Sequence, residues 1–182
     1  MVNLLIDANV FRAIYEEDIG LEAPRPERSA SATPILEQSA RPSKIFVDKA
    51  ENSQIEAEWR KQCRNNSEWF DAWLAEQYRA GNLWAVDIET KHFLNAGKIF
   101  STGFPALSRD IWYVRVAYAA KDARPTFPVY LISEDMDFYD PSLKASTNKL
   151  QKFIKGNGPV VKHLKKNKIH VRCIQTYLQD FP

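Results

Sequence analysis

Asn3-Leu-Leu-Ile-Asp7 is a short apolar run that ends in a carboxylate, and apolar residues with helical spacing follow it at Phe11, Ile14 and Tyr15. A run that is apolar at every position predicts a strand buried on both faces, as in a parallel sheet covered by helices. The chain therefore opens with a β-strand and then an α-helix, and Asp7 stands at the carboxyl end of that strand.

Strands and helices alternate along the rest of the chain. Further strands are predicted at Lys44–Asp48, Pro128–Ser133 and Ile169–Ile174, and helices are predicted to begin near Ser53, Ser67 and Ser108, to cover Leu143–Ile154 and to begin again at Pro159. Ser53 with Glu56 has the spacing of a capping box, and Gly81 is placed to end the second helix. Residues 82–107 look like an irregular connection. This alternation predicts an α/β fold with three layers, α/β/α, around a central, mainly parallel sheet.

The composition and length fit one globular domain over residues 1–182. Hydrophobic residues make up 45% and charged residues 26%, which excludes wholesale disorder and a collagen-like structure. A Pro-rich segment at about 22–43 predicts a surface loop with a short helical turn near Ile35. No apolar segment approaches the roughly 20 residues of a spanning helix, and nothing suggests export, so we expect a soluble, cytoplasmic protein without membrane contact. Cys63 and Cys173 lack zinc-site spacing and are expected to be buried thiols.

Carboxylates follow the predicted strands at two places that are far apart in the sequence. Asp7 and Asp135 both come just after a strand, so a parallel sheet would bring them to the same edge. Asp110 stands near the start of a helix, two residues beyond Ser108 as the expected N-cap, and Glu58 lies beside the buried stripe of its helix. Crowded carboxylates repel one another, so such a cluster requires a cation, and oxygen ligands favour Mg²⁺ or Mn²⁺.

Divalent ions held in this way suit phosphodiester hydrolysis. They bind the scissile phosphate, lower the pKa of a bound water and neutralise the leaving oxygen, so no nucleophilic side chain is required. This agrees with a sequence in which no histidine stands in a recognisable triad motif.

Four segments, in order, resemble the acidic motifs of the PIN-like nuclease family. Their sequences are Leu4-Leu-Ile-Asp-Ala-Asn-Val-Phe11, Ile55-Glu-Ala-Glu-Trp59, Leu107-Ser-Arg-Asp110 and Ile132-Ser-Glu-Asp-Met-Asp-Phe138. The likeness spans roughly residues 2–138. Each motif alone is weakly specific, whereas all four acids in the family's order make chance much less probable. The sequence departs from the pattern in its longer Pro-rich loop and in Glu134, where a small or polar residue is more usual.

The resemblance implies an endoribonuclease that depends on Mg²⁺ or Mn²⁺ and cuts single-stranded or structured RNA. It implies that Asp7, Glu58, Asp110 and Asp135 are the catalytic and metal-binding residues. Members are often toxins or RNA-processing factors, so a protein inhibitor or antitoxin and a homo-oligomer are both compatible with it. Two other functions stay open: a catalytically inactive PIN-like module that binds RNA or a protein, and a nuclease of the same fold that acts on DNA.

Simpler structural roles compete with these assignments. Asp7 could only cap the following helix, Asp110 could only stabilise a helix dipole, and Glu58 could be a solvated charge. Asn9 is expected to orient Asp7, or else to start the helix. Asp137 is expected to support the ligands or form a turn and not to bind the metal directly.

Basic residues dominate the C-terminal region. Between Asp140 and Asp180 the sequence has no acidic residue, and its lysines include Lys162, Lys165 and Lys166. A charge run of this kind is often only a solvated face, but its single sign favours contact with a nucleic-acid backbone. We therefore expect these three lysines to bind RNA.

Overall fold

The computed structural model describes residues 1–12, 32–37, 43–49, 51–135, 137–138 and 147–181. At its centre lies one five-stranded sheet in which every neighbouring pair is parallel and the strand order is β3-β2-β1-β4-β5. The strands are β1 Val2–Ile6, β2 Ser43–Asp48, β3 Leu83–Val86, β4 Val129–Ile132 and β5 Ile169–Arg172. Helices flank this sheet, so the predicted α/β fold with three layers is confirmed.

Helices alternate with the strands along the chain, and two of them, Thr90–Gly97 and Ile174–Asp180, were not predicted from the sequence. The first, α1, includes residues 8–12. The others are α2 Thr33–Leu36, α3 Gln54–Gln62, α4 Ser67–Arg79, α5 Thr90–Gly97, α6 Ile111–Ala123, α7 Asn148–Gly156, α8 Gly158–Lys166 and α9 Ile174–Asp180. The described residues also include two short 3₁₀ helices, Arg64–Asn66 and Lys98–Thr102. Within the described residues, no helix is long and apolar enough to cross a membrane.

Strand β1 occupies the middle of the sheet. All five of its residues are buried, and Leu4 pairs with Ile45 of β2 on one side and with Tyr130 of β4 on the other. The chain moves outward from β1 through β2 to β3, and then returns to the other side of β1 for β4 and β5. A parallel sheet opens a crevice at the carboxyl ends of the strands where the order reverses, which here are β1 and β4.

Helix α6 is the central helix, as its nearly uniform apolar sequence predicts. Eight of its thirteen residues are buried, and it packs against strands on both halves of the sheet. It begins at Ile111 with Asp110 as its N-cap residue, so the expected cap at Ser108 was wrong. The Ser108 hydroxyl instead accepts a hydrogen bond from the Asp110 backbone N–H at 3.2 Å.

Strand β3 and helix α5 lie in residues 82–107, which the sequence indicated to be an irregular connection. β3 is an edge strand with only four residues, and its middle positions, Trp84 and Ala85, are exposed. It therefore lacks the buried pattern that marks the inner strands. Helix α5 has Glu89 at its N-cap, and its first turn is fixed by the His92 ring, whose Nδ1 accepts from the Glu89 backbone N–H. Neither Glu at the N-cap nor His three positions later is a residue type that commonly marks the start of a helix in a sequence.

Strand β5 ends at Arg172, before its predicted end at Ile174, because a helix begins there. The Cys173 thiol caps α9 by accepting from the Thr176 backbone N–H. The buried Glu134 carboxylate also accepts from the Ile174 N–H at 2.8 Å. Glu134, which departs from the PIN pattern, therefore stabilises the start of α9, and this contact across 40 positions could not be inferred from local sequence.

Several sequence predictions can be compared only in part. The helical turn near Ile35 is confirmed by α2, whereas most of the Pro-rich segment 22–43 lies outside the described residues. Ile14, Tyr15 and Leu143, used to predict helices, also lie outside them. Cys63 and Cys173 are buried free thiols, as expected.

Trp59 connects α3 to the end of β1, directly before Asp7. Its ring is fully buried, and its Nε1–H donates to the Ile6 carbonyl at 2.7 Å. We expect Trp59→Phe to lower the free energy of unfolding by about 2 kcal/mol, because the substitution keeps an aromatic ring but leaves a buried acceptor without its donor. Urea denaturation would measure this loss. The matched control is Trp84→Phe on the exposed edge strand, for which a change within about 0.5 kcal/mol is expected; equal losses would contradict the role of the hydrogen bond.

Candidate metal centre

Two of the predicted carboxylates, Asp110 and Asp135, converge at the carboxyl edge of the sheet with a third, Asp137. Asp110, Asp135 and Asp137 each offer an oxygen within 4.8 Å of the oxygens of the other two. Asp135 and Asp137 follow β4, and Asp110 comes from the start of α6. Asp137 thus lies inside the cluster, although the sequence suggested only a supporting role for it. We refer to these three residues as the acidic cluster.

A short hydrogen-bonded turn after β4 positions two members of the acidic cluster. The Ser133 hydroxyl accepts from the Asp135 backbone N–H at 2.9 Å, and Asp135 Oδ1 accepts from the Asp137 backbone N–H at 2.9 Å. Ser133 is fully buried and also donates to Asp7 Oδ2. The turn therefore connects the end of β4 to the end of β1.

Asp7 lies beside the acidic cluster and is almost completely buried. Its Oδ1 accepts from the Asn9 backbone N–H at 3.2 Å, which is the contact of a helix cap. The Asn9 side-chain amide lies 3.5 Å from Asp7 Oδ2 and 3.2 Å from Asp135 Oδ2. Asn9 therefore bridges the two carboxylates, and the capping role of Asp7 coexists with its place in the site.

Burial and mutual repulsion make these carboxylates unusually basic. The pKa of Asp7 is raised to about 7, first by burial and then by the charges of Asp110 and Asp135, against the lowering effect of the hydrogen bond from Ser133. Burial raises the pKa of Asp110 to about 6, with the charge of Asp135 as the next contribution. Burial, and then Asp135, also raises the pKa of Asp137. These carboxylates therefore carry more negative charge than the neighbouring groups neutralise. A bound cation would relieve the repulsion between them.

Glu58 faces the site from α3 but lies outside the acidic cluster. It is half-buried, and burial raises its pKa while a hydrogen bond from the Tyr113 hydroxyl lowers it. The same hydroxyl oxygen accepts from the Ala8 backbone N–H at 3.1 Å. Glu58 in turn raises the pKa of Asp110, so the two carboxylates interact electrostatically. Tyr113 therefore positions Glu58 relative to the start of α1.

The orientation of α3 depends on a carboxylate that the sequence analysis did not single out. Asp48, at the end of β2, accepts from the Ser53 hydroxyl and from the backbone N–H groups of Gln54 and Ile55. Ser53 caps the helix as predicted, but Glu56 bonds to the Tyr78 hydroxyl and not back to the cap. Asp48 therefore has a structural role at the N-terminus of α3, and this fixes the face that carries Glu58.

Two cations border the carboxylates. A cavity of about 170 Å³ is lined by Asp7, Asn9, Glu58, Lys61, Arg109 and Asp110, among others. Arg109 and Lys61 are exposed, and both lower the pKa of Glu58. Neither cation was predicted from the sequence, although Lys61 stands one helical turn after Glu58 and Arg109 directly precedes Asp110. A site that combines oxygen donors for a metal with nearby cations is suited to bind an anion that the metal also contacts.

The predicted RNA-binding lysines lie elsewhere. Lys162, Lys165 and Lys166 are exposed on α8, which leads directly into β5. Lys165 and Lys166, at the end of α8, are therefore at the amino end of the sheet, opposite the edge with the acids. Lys152 is nearer, because it lines a separate cavity of about 330 Å³ together with Asp137. RNA contact by the α8 lysines stays a prediction.

The residues present fit a hard divalent cation. All candidate donors are carboxylate oxygens, three of them converge from two separate elements, and neither cysteine belongs to the group. Comparison of the chain with protein-family models and with curated proteins gives no match. The chemistry of this site and the four sequence motifs are therefore the features that bear on function.

Proposed function

We propose that this protein is a PIN-like, metal-dependent endoribonuclease, and the observation that carries the proposal is the convergence of Asp110, Asp135 and Asp137 next to the buried Asp7. These residues would hold Mg²⁺ or Mn²⁺, with Asn9 keeping Asp7 and Asp135 in position. When bound, the ion supplies Lewis-acid polarisation of a phosphate oxygen and lowers the pKa of water. This chemistry requires neither a serine nor a cysteine nucleophile.

The side chains around the acidic cluster provide the remaining requirements of phosphodiester cleavage. Arg109 and Lys61 border the cavity that contains Asp7 and Asp110, so they would bind the phosphate and orient it. Glu58 faces the same cavity, and its raised pKa suits it to accept a proton from the attacking water or to join the metal ligands. RNA is favoured over DNA by the family resemblance, since the acids alone do not distinguish the sugars.

Digestion assays test this proposal directly. Purified protein is incubated with single-stranded RNA, structured RNA and DNA of the same sequences, with Mn²⁺, Mg²⁺ or a chelator. We expect RNA cleavage with either metal and none in the chelator. Cleavage that persists in the chelator would exclude the proposal, and cleavage of DNA alone would move the activity to DNA. If no substrate is cut and RNA still binds, the inactive binding module becomes the better interpretation.

Glu58→Gln and Glu56→Gln form a matched pair on helix α3. We expect Glu58→Gln to lower the cleavage rate by about 10- to 100-fold, because it removes a charge from the cavity beside Asp110. The Glu56 carboxylate accepts a hydrogen bond from the Tyr78 hydroxyl and does not line the cavity, so Glu56→Gln is expected to keep the wild-type rate. Initial rates at saturating Mn²⁺ provide the measurement. Equal rates for the two variants would show that the Glu58 carboxylate takes no part in cleavage.

A further inference from the structure

A second cavity adjoins the proposed active site. It has a volume of about 430 Å³, and its lining includes Gln54, Glu58, Arg109, Trp112 and Arg115. Glu58 and Arg109 also line the smaller cavity with Asp7 and Asp110, so the two cavities are neighbours that share these two side chains. The volume lies in the range of pockets that bind small organic groups. Whatever occupies the second cavity would therefore lie next to the group bound at the acidic cluster.

Two buried hydrogen-bond donors at this cavity have no acceptor. Trp112 Nε1 and Arg115 Nε are both buried, and among the described residues neither has a hydrogen-bond partner. A buried donor without an acceptor is costly and therefore uncommon in native proteins. Both residues line the same cavity, one helical turn apart on α6. A ligand with acceptor atoms on one edge would satisfy them.

Trp112 and Arg115 of this lining pack together with Phe93, which is not one of the residues that line the cavity. The Phe93 and Trp112 rings meet edge to face with centroids 5.9 Å apart. The Arg115 guanidinium lies 4.3 Å from the Phe93 centroid and 5.2 Å from that of Trp112. Phe93 is 41% exposed. Aromatic rings with an arginine are the surface on which bases of single-stranded nucleic acids stack.

We propose that this second cavity binds the base of the nucleotide next to the scissile phosphate, an inference that rests on the proposed nuclease function. A base offers a flat face for Trp112 and Arg115, which line the cavity, and ring nitrogen or carbonyl acceptors for the two donors. A phosphate would satisfy the donors but would leave the apolar lining of Ala57 and Ile111 without contact. Arg109, which lines both cavities, would then contact the backbone between the base and the cleaved bond. Cleavage is thereby coupled to an unpaired base, which selects single-stranded RNA.

Binding of RNA with single abasic positions tests this inference independently of cleavage. Short single-stranded RNAs, each lacking one base, are titrated by fluorescence anisotropy in chelator at low salt. We expect one abasic position to weaken binding to the wild type by about tenfold, with smaller effects at the others. In Trp112→Phe, intact RNA is expected to bind several-fold more weakly, and the same abasic position then adds little. Arg115→Gln should behave like Trp112→Phe.

Trp69→Phe provides the matched control, because Trp69 is also a partly exposed tryptophan but lines a different cavity with Trp73 and Glu76. It is expected to bind every RNA as the wild type does. Equal affinity for all abasic RNAs, or equal behaviour of Trp112→Phe and Trp69→Phe, would overturn the base-binding cavity even if the protein cleaves RNA. If binding depends on one base but no RNA is cleaved in Mn²⁺, the base-binding cavity is supported and the proposed nuclease function is contradicted. Absence of binding to every RNA would overturn the base-binding cavity, and the digestion assay with Mn²⁺ would then decide the nuclease function by itself.

Discussion

Asp7→Asn is expected to lower RNA cleavage by more than about 100-fold and, in the absence of metal, to make the protein more stable. Asp7 is buried beside two other carboxylates, and its pKa is raised to about 7 by burial first and then by Asp110 and Asp135. Asparagine removes the charge while keeping the shape and an oxygen for the Ser133 hydroxyl. A residue needed only as a helix cap would show neither the loss of activity nor the gain in stability.

The pH dependence of stability follows from the same shift. The ordinary pKa of an aspartate is 3.8, so folded Asp7 binds its proton more tightly than unfolded Asp7 does. The resulting stabilisation is fully present below about pH 4 and is lost as the pH rises toward 7. Metal-free wild type should therefore lose on the order of 2–4 kcal/mol from this residue over that interval, and Asp7→Asn should not.

Thermal denaturation in chelator between pH 4 and 8 measures the difference. The variant and the wild type should have similar melting temperatures near pH 4 and diverge toward pH 8, where the variant melts higher. Asp87→Asn is the control, because Asp87 also follows a strand at this edge but is exposed and paired with Lys49 at 3.6 Å. Parallel melting curves for Asp7→Asn and wild type would contradict the raised pKa.

The sequence predicts the positions of the central acids because their placement depends on topology alone. Asp7 and Asp135 follow strands, and parallel strands that are adjacent in a sheet end at the same edge. The position of Asp110 depends in addition on helix α6, which Asp110 precedes, lying across the sheet. The nearly uniform apolar sequence of α6 indicates that placement. These three conclusions require no knowledge of side-chain direction.

Other features of the site depend on contacts between side chains, which local patterns do not encode. Asp137 belongs to the acidic cluster because its backbone N–H bonds to Asp135 Oδ1 and thereby tightens the turn. Glu58 lies outside the cluster because the Tyr113 hydroxyl, which is distant in sequence, holds it. Arg109 was overlooked because a cation beside an acid on a loop has no periodicity. The same limit explains α9, whose N-terminus requires Glu134.

Saturating Mn²⁺ is expected to raise the melting temperature of the wild type by about 5–10 °C at pH 8. An ion at about 100 times its dissociation constant stabilises the folded state by about 2.7 kcal/mol, and each kcal/mol is worth about 2–4 °C for a domain of this size. Protons compete with the metal, because burial raises the pKa of Asp110 to about 6 and that of Asp7 to about 7. The shift in melting temperature should therefore shrink as the pH falls from 8 to 5.

Asp137→Asn shows whether Asp137 binds the metal or only shapes the turn after β4. Its backbone N–H, which donates to Asp135 Oδ1, is retained in the variant, so a residue that acts only through the turn would leave the Mn²⁺ effect intact. Its carboxylate oxygen lies within 4.8 Å of the oxygens of Asp110 and Asp135, so we expect the variant to lose most of the Mn²⁺ stabilisation, as Asp110→Asn should. Asp87→Asn should keep the full shift. A full shift in Asp137→Asn would return Asp137 to the supporting role that the sequence suggested, and the ion would then depend on Asp7, Asp110 and Asp135.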